Sequence, residues 1–200
     1  AMRLAARASA VLGVNVSVRD VFAAPSVREL IAVVSGHGAA LVPITKADPR
    51  PDRIPLSFAQ QRMWFLNQFD PTQPTYNIPA VLRINGDLDV DALRESVTDL
   101  LVRHEVLRTS FPVVNGEPAQ VVGDIAEFAD RDVWSIVEAE QDLTNTVTSG
   151  FDVTTDWPIR IRLLRSNTDE FILAVVVHHI ASDGESMLPL VTDLVTAYSA

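Results

Sequence analysis

The run Phe171-Ile172-Leu173-Ala174-Val175-Val176-Val177 constrains this chain more than any other stretch. It is apolar throughout, rich in β-branched residues and shows no polar alternation. A strand exposed to water on one face would alternate, so this pattern predicts a strand covered on both faces. The sequence Ile159 to Leu164 reads as a second strand, and Ile78 to Ile84 as a third closed by Gly86-Asp87. Between them lies a helical pattern beginning near Asp89, with Val90, Leu93, Val97, Leu100 and Leu101 on one side. After His178 to Gly184, another helix carries Leu188, Val191, Leu194 and Val195. Helices therefore alternate with strands, and the expected class is α/β with a mixed sheet and flanking helices.

Other elements are less regular. Ser57-Phe58-Ala59-Gln60 has the spacing of a capping box and predicts a helix through Arg62, Met63, Trp64, Phe65 and Leu66. Trp64, Phe65, Trp134 and Trp157 are expected in the core. The stretch Val106 to Val114 reads as a strand, with Asn115-Gly116 as a turn and Gln120 to Val122 pairing back. Trp134 to Thr148 reads as one helix.

The first 35 residues differ in character. Leu4, Ala8, Val11 and Leu12 fall on one helical face, and Gly13 supplies a stop. A short helix through Val21 and Phe22 follows, and Ser26 with Glu29 predicts a capped third helix. Three such helices are too little for an independent core, so the chain is expected to begin inside a domain. Residues 36–53 contain Pro43, Pro49 and Pro51 among charged residues, a composition that predicts a linker. The expected organisation is thus 1–35, 36–53 and 54–200.

Composition narrows the partners. Sixteen basic against 26 acidic residues give a formal net charge of −10, which disfavours nucleic acid. No apolar stretch is long enough for a membrane span. With no cysteine there is neither disulfide framework nor thiolate chemistry, which fits a cytoplasmic protein.

Chemistry concentrates in His178-His179-Ile180-Ala181-Ser182-Asp183-Gly184, between a buried strand and a helix. Neighbouring strand residues point to opposite faces, so only one histidine can line a given cavity. Three readings compete on the residues alone. One is a pair of packed histidines before an Asp-Gly turn, with Gly184 taking a backbone shape that other residues resist. A second is a metal site, weakened by the absence of a clear third ligand. The third is a histidine that transfers protons near neutral pH.

This stretch resembles the HHxxxDG signature of condensation domains in nonribosomal peptide synthetases. Leu56 to Trp64 is similar to the first motif of that family, Arg103 to Phe111 to the second, and Tyr76-Asn77-Ile78-Pro79 to a further common stretch. The resemblance covers roughly Ile54 to Ala200. It implies the N-terminal lobe of a chloramphenicol acetyltransferase-like fold. It also implies an amide-forming reaction between a carrier-bound donor thioester and a carrier-bound aminoacyl amine, with an L-configured donor. His179 is then the catalytic histidine, and the Gly184 N–H helps to stabilise the oxyanion. His178, His104, Asp183 and Arg62 become supporting residues, with Asp183 paired to Arg62. No metal and no cofactor is expected in this lobe. Phosphopantetheine belongs to carrier domains, whose last helices residues 1–35 resemble. Its attachment serine is expected upstream of Ala1, because Ser35 follows a helix instead of opening one. The implied partners are upstream and downstream carrier domains, an adenylation domain and a second condensation lobe. Glu185 departs from the Trp that many relatives carry there. The alternatives are an epimerisation domain, a silent recruitment domain and a free-standing acyltransferase.

Overall fold

The computed structural model describes residues 1–38 and 45–200. It comprises two compact units, Ala1–Pro51 and Asp52–Ala200. Residues 39–44 of the expected linker lie outside the described residues.

The first unit holds α1 (Met2–Leu12), α2 (Val18–Ala23) and α3 (Val27–Val34) around a small core of Ala5, Val16 and Val34. Gly13 ends α1 with φ 67°, a left-handed conformation that costs glycine no Cβ clash. Ser17 and Asp20 close a reciprocal capping box on α2, and Ser26 caps α3 by accepting the Glu29 N–H. The buried side of α1 is Ala5 with Ala8, whereas Leu4, Val11 and Leu12 of the expected face are exposed. Ser35 sits past the last turn of α3, where its Oγ donates to Ile31 O at 2.6 Å.

The second unit begins with β1 (Ile54–Pro55) and α4 (Phe58–Asn67), whose Ser57–Gln60 capping box forms as expected. Then come β2 (Asn77–Asn85), α5 (Val90–Arg103, capped by Asp89), β3 (Thr109–Ser110), β4 (Val113–Val114) and β5 (Glu117–Val122). The unit continues with β6 (Trp134–Val137), α6 (Glu140–Thr148), β7 (Ile159–Asn167), β8 (Glu170–His178) and α7 (Met187–Tyr198). The main sheet has the order β2-β8-β7-β6, antiparallel except for the parallel β6–β7 pair. A smaller sheet is built on β5, which pairs with β1, β3 and β4.

The apolar run in β8 is covered on both faces, as its composition requires. Phe171, Leu173, Val175 and Val177 pack with Leu93, Val97, Leu100 and Leu101 of α5 and Leu190 and Leu194 of α7. On the opposite face Ala174 meets Leu143 of α6, and Val176 meets Leu56, Phe111, Phe151 and Val153.

Three sequence expectations are corrected. Val106 to Val114 is not one strand. Residues Glu105–Arg108 form a 3-10 turn that drives Leu107 into the core, and only short strands follow on either side of the buried Phe111. Arg108 fixes that turn by donating to the carbonyls of Leu101 and Gly123. Trp134 to Thr148 is not one helix. Trp134 to Val137 pairs in parallel with Ile161 to Leu164, and α6 begins only at Glu140, with Glu140 and Asp142 in its first turn. Acidic residues there favour the positive end of the helix dipole. Phe65 is exposed and meets Phe69 edge to face, while Trp64 and Trp134 pack against the cores and Trp157 is buried. No described helix is long and apolar enough to cross a membrane.

Candidate functional site

The end of β8 separates two neighbouring histidines. The His178 side chain lies on the same face as Val176, sealed against Phe151 and Tyr76 at ring separations of 5.9 and 6.1 Å. Its Nδ1 accepts the Ile180 N–H at 3.1 Å, so the deprotonated nitrogen of the neutral ring is Nδ1. Burial first, then the neighbouring His179 and Arg160, push the His178 pKa down to about 4. The ring is therefore neutral at physiological pH and shut away from solvent.

His179 is the exposed member of the pair, with its backbone N–H fixed on Tyr76 O at 2.8 Å. It borders an open depression of about 430 Å³ whose other walls include Ser57, Gln60 and Met63 of the α4 region, Val106, and Asp183. The first two motifs and the signature thus converge on one hollow, with His179 as its imidazole.

Asp183 and Gly184 shape the far side. The Asp183 carboxylate accepts from Ser186 N at 3.0 Å and Ser186 Oγ at 2.5 Å, closing a one-turn cap ahead of α7. The Ser186 hydroxyl, then its amide, hold this exposed carboxyl below its ordinary pKa. The expected Asp183–Arg62 pair does not form. Both residues are exposed, and no ion pair or hydrogen bond joins them among the described residues. Local capping satisfies Asp183 instead. Gly184 also differs from expectation, because its φ lies outside the left-handed region and an added Cβ would meet nothing within 4 Å. Its backbone does not demand glycine. Among the described residues the Gly184 N–H finds no acceptor.

His104 is structural, with Nε2 at 2.6 Å from Asp193 Oδ2, which also takes Arg103 Nε at 2.9 Å. That shared carboxylate ties the end of α5 to α7.

Sequence reasoning missed the groups that hold α4 in place. Asn67 Nδ2 donates to Phe151 O at 2.7 Å, and Asn67 Oδ1 accepts the Val153 N–H at 3.3 Å, so one amide acts as a short strand partner. Trp64 Nε1 donates to Phe111 O at 2.8 Å. Arg160 stacks on Phe151 at 3.9 Å and donates to Gly150 O at 2.7 Å and Asp156 at 3.0 Å. Burial lowers the Arg160 pKa, opposed by Asp156 and Asp132. Asn67 directly after the apolar run Met63 to Leu66 was the one signal available, and it names no partner. No group of three or more His, Cys, Asp or Glu side chains among the described residues is arranged to hold a metal ion.

An α/β lobe that opens a histidine onto a hollow, with the unengaged Gly184 amide in the same loop, has the makings of an acyl-transfer domain. A family model described as the condensation domain matches residues 51–200, and the chain belongs to that family. It is 44% identical over 202 residues to CymA of Salinispora arenicola, described as a probable non-canonical nonribosomal peptide synthetase, covering 99% of this chain and 3% of that protein. To a dimodular nonribosomal peptide synthase of Bacillus subtilis it is 39% identical over 204 residues, covering 100% of this chain and 8% of that one. The X-domain in the complex of X-domain and OxyB from teicoplanin biosynthesis superposes with a TM-score of 0.69 at 34% identity, over 80% of this chain and 35% of that one. The chain therefore spans a small fraction of its curated relatives and about a third of the solved domain.

Proposed function

We propose that the second unit supplies the histidine-bearing half of an amide-forming site. A donor acyl or peptidyl thioester and an acceptor aminoacyl thioester, each on a carrier domain, meet at the His179 hollow. The acceptor amine attacks the donor carbonyl, the new C–N bond forms, and the donor carrier leaves as its thiol. An α-amino group titrates near pH 7.7–8.0, so a useful fraction is already neutral. His179 then has two tasks open to it, to orient the amine or to take its proton as the tetrahedral intermediate forms. The Gly184 N–H is the donor offered to the developing oxyanion. The observation that carries this reading is the division of labour at the signature, with His178 sealed and neutral and His179 open on the hollow.

The first unit reads as the last helices of a carrier domain, supported by the extent of the two synthetase alignments across essentially the whole chain. A carrier that runs directly into this domain leaves no place for an epimerase between them, which favours an L-configured donor. Lys46, exposed and outside regular secondary structure, is the expected early trypsin site in a tether, whereas Arg53 is engaged by Glu117 at 2.5 Å. Resistance at Lys46 with both units folded would count against a tether.

The X-domain is described in complex with OxyB, which favours a second reading of this chain, a silent recruitment domain that binds a protein partner. His179→Ala in the complete synthetase separates the two. Condensation on loaded carriers should fall by roughly 10²-fold or more while amino-acid activation persists. Dipeptide formation at the wild-type rate would exclude the catalytic reading.

A further inference from the structure

Beside the His179 hollow lies a second cavity of about 240 Å³. The two share Val106, Ala181, Ser182 and Ser186 as walls, so the loop that carries the signature divides them. Leu107, Pro189, Leu190 and His104 complete its lining.

Most of its polar groups are already engaged. Ser186 Oγ donates to the Asp183 carboxylate at 2.5 Å and accepts the Asp183 N–H at 3.2 Å. His104 Nε2 is held by Asp193 at 2.6 Å. Ser182 Oγ points to Asp183 O at 3.4 Å and the Met187 sulfur at 3.9 Å. What remains towards the cavity is mostly apolar surface from two helical elements and a loop. A polar occupant would lose its water and gain little in return, whereas an apolar one gains by leaving water.

We propose that this cavity is a specificity subsite for the apolar side chain of a carrier-bound substrate, resting on the amide-forming reading above. The side chain of an aminoacyl or peptidyl thioester is attached one bond from its reacting carbonyl. Its acceptor counterpart is attached to the carbon that bears the attacking amine. Either way, a group reacting at His179 carries its side chain within reach of an adjoining cavity. The subsite selects among substrates by size, with Leu190 in its wall as the residue that sets the limit. Leu190 is buried against the main core, so extra volume at this position is directed towards the empty side.

The test uses the complete synthetase and two series of loaded carriers. Alanyl, valyl, leucyl and phenylalanyl groups are varied once on the donor with the acceptor fixed, and once on the acceptor with the donor fixed. In Leu190→Phe the phenylalanyl-to-alanyl rate ratio should fall at least about 10-fold in one series, which identifies the source. Leu190→Val should move the ratio the other way, and it decides the matter if the larger variant does not fold. Ratios unchanged in both variants and both series would overturn the subsite. Calorimetric titration with the unreactive N-acetylphenylalanyl and N-acetylalanyl pantetheine amides reads the same preference without turnover. If no pair of substrates condenses, the amide-forming reading fails. The subsite then stands or falls on whether Leu190→Phe weakens the phenylalanyl amide at least about 10-fold against the alanyl amide.

Discussion

His178 and His179 are neighbours in the chain and opposites in surroundings. One ends a strand buried on both faces, meets two aromatic rings and gives its Nδ1 lone pair to a backbone amide. The other begins a loop, keeps its side chain in the open and borders the hollow. The contrast shows how a single peptide step can divide structural from chemical duty. The strand's alternation sends one ring inward, and that ring's bond to Ile180 shapes the loop from which the other projects.

The largest expected effect breaks this contrast directly. His179→Ala should lower condensation by roughly 10²-fold or more while leaving the thermal midpoint of the protein where it was. His178→Ala should instead lose about 2–4 kcal/mol of stability, through the void beside Phe151 and the Ile180 N–H left without an acceptor. If differential scanning shows both variants equally destabilised, the two rings do not differ in the way described.

Acid sharpens the same comparison. The folded-state pKa of His178, about 4, lies below the unfolded value of 6.5. The unfolded chain therefore binds the proton more readily, and stability is complete above pH 6.5 and declines as pH falls towards 4. The loss attributable to this ring is about 3 kcal/mol across that window. Denaturant melts at stepped pH should show it, and His178→Phe should flatten the slope. An equally steep slope in that variant would assign the acid sensitivity elsewhere.

A smaller effect lies at Asp183. Its carboxylate caps a single turn at the surface, so Asp183→Ala should lower the thermal midpoint slightly, with Asp183→Asn recovering part of it. Arg62→Ala should change stability by less than about 0.5 kcal/mol, because Arg62 is exposed and makes no bond to Asp183. Chemical denaturation that shows equal and non-additive losses for Asp183→Ala and Arg62→Ala would reinstate a pair between them.

Much of this was legible in the residues. The β8 run, the Ser57 box and the Asp89 start of α5 are local signals, and each formed where it was read. The misreadings share a cause. Val106 to Val114 has the composition of a strand, but the packing of Leu107 and the reach of Arg108 to Leu101 and Gly123 bend it into a turn. Phe65 looked like core because it sits in an apolar run, yet the face of α4 that is anchored belongs to Trp64 and Asn67. At the site, the motif located His179 correctly in the loop, while Asn67, Phe151 and Arg160 stayed hidden. Asn67 meets Phe151 and Val153 from more than eighty residues away, and Arg160 meets Phe151 and Gly150 across an irregular loop, so spacing carries no record of either contact.

The pairing of β2 with β8 has a consequence during synthesis. Asn77 opposes His178 across roughly a hundred residues of intervening chain. A ribosome adding about 5–20 residues per second would leave β2 waiting roughly 5–20 seconds for its neighbour. Through that interval β2 lacks its hydrogen-bonding partner, and Val81, which stays exposed even in the finished sheet, offers no shelter. Slow codons or a pause between β2 and β8 would lengthen the wait, and a chaperone that covers extended apolar segments would act there. The histidines are translated last of all in this sheet, so their surroundings take shape only as it closes.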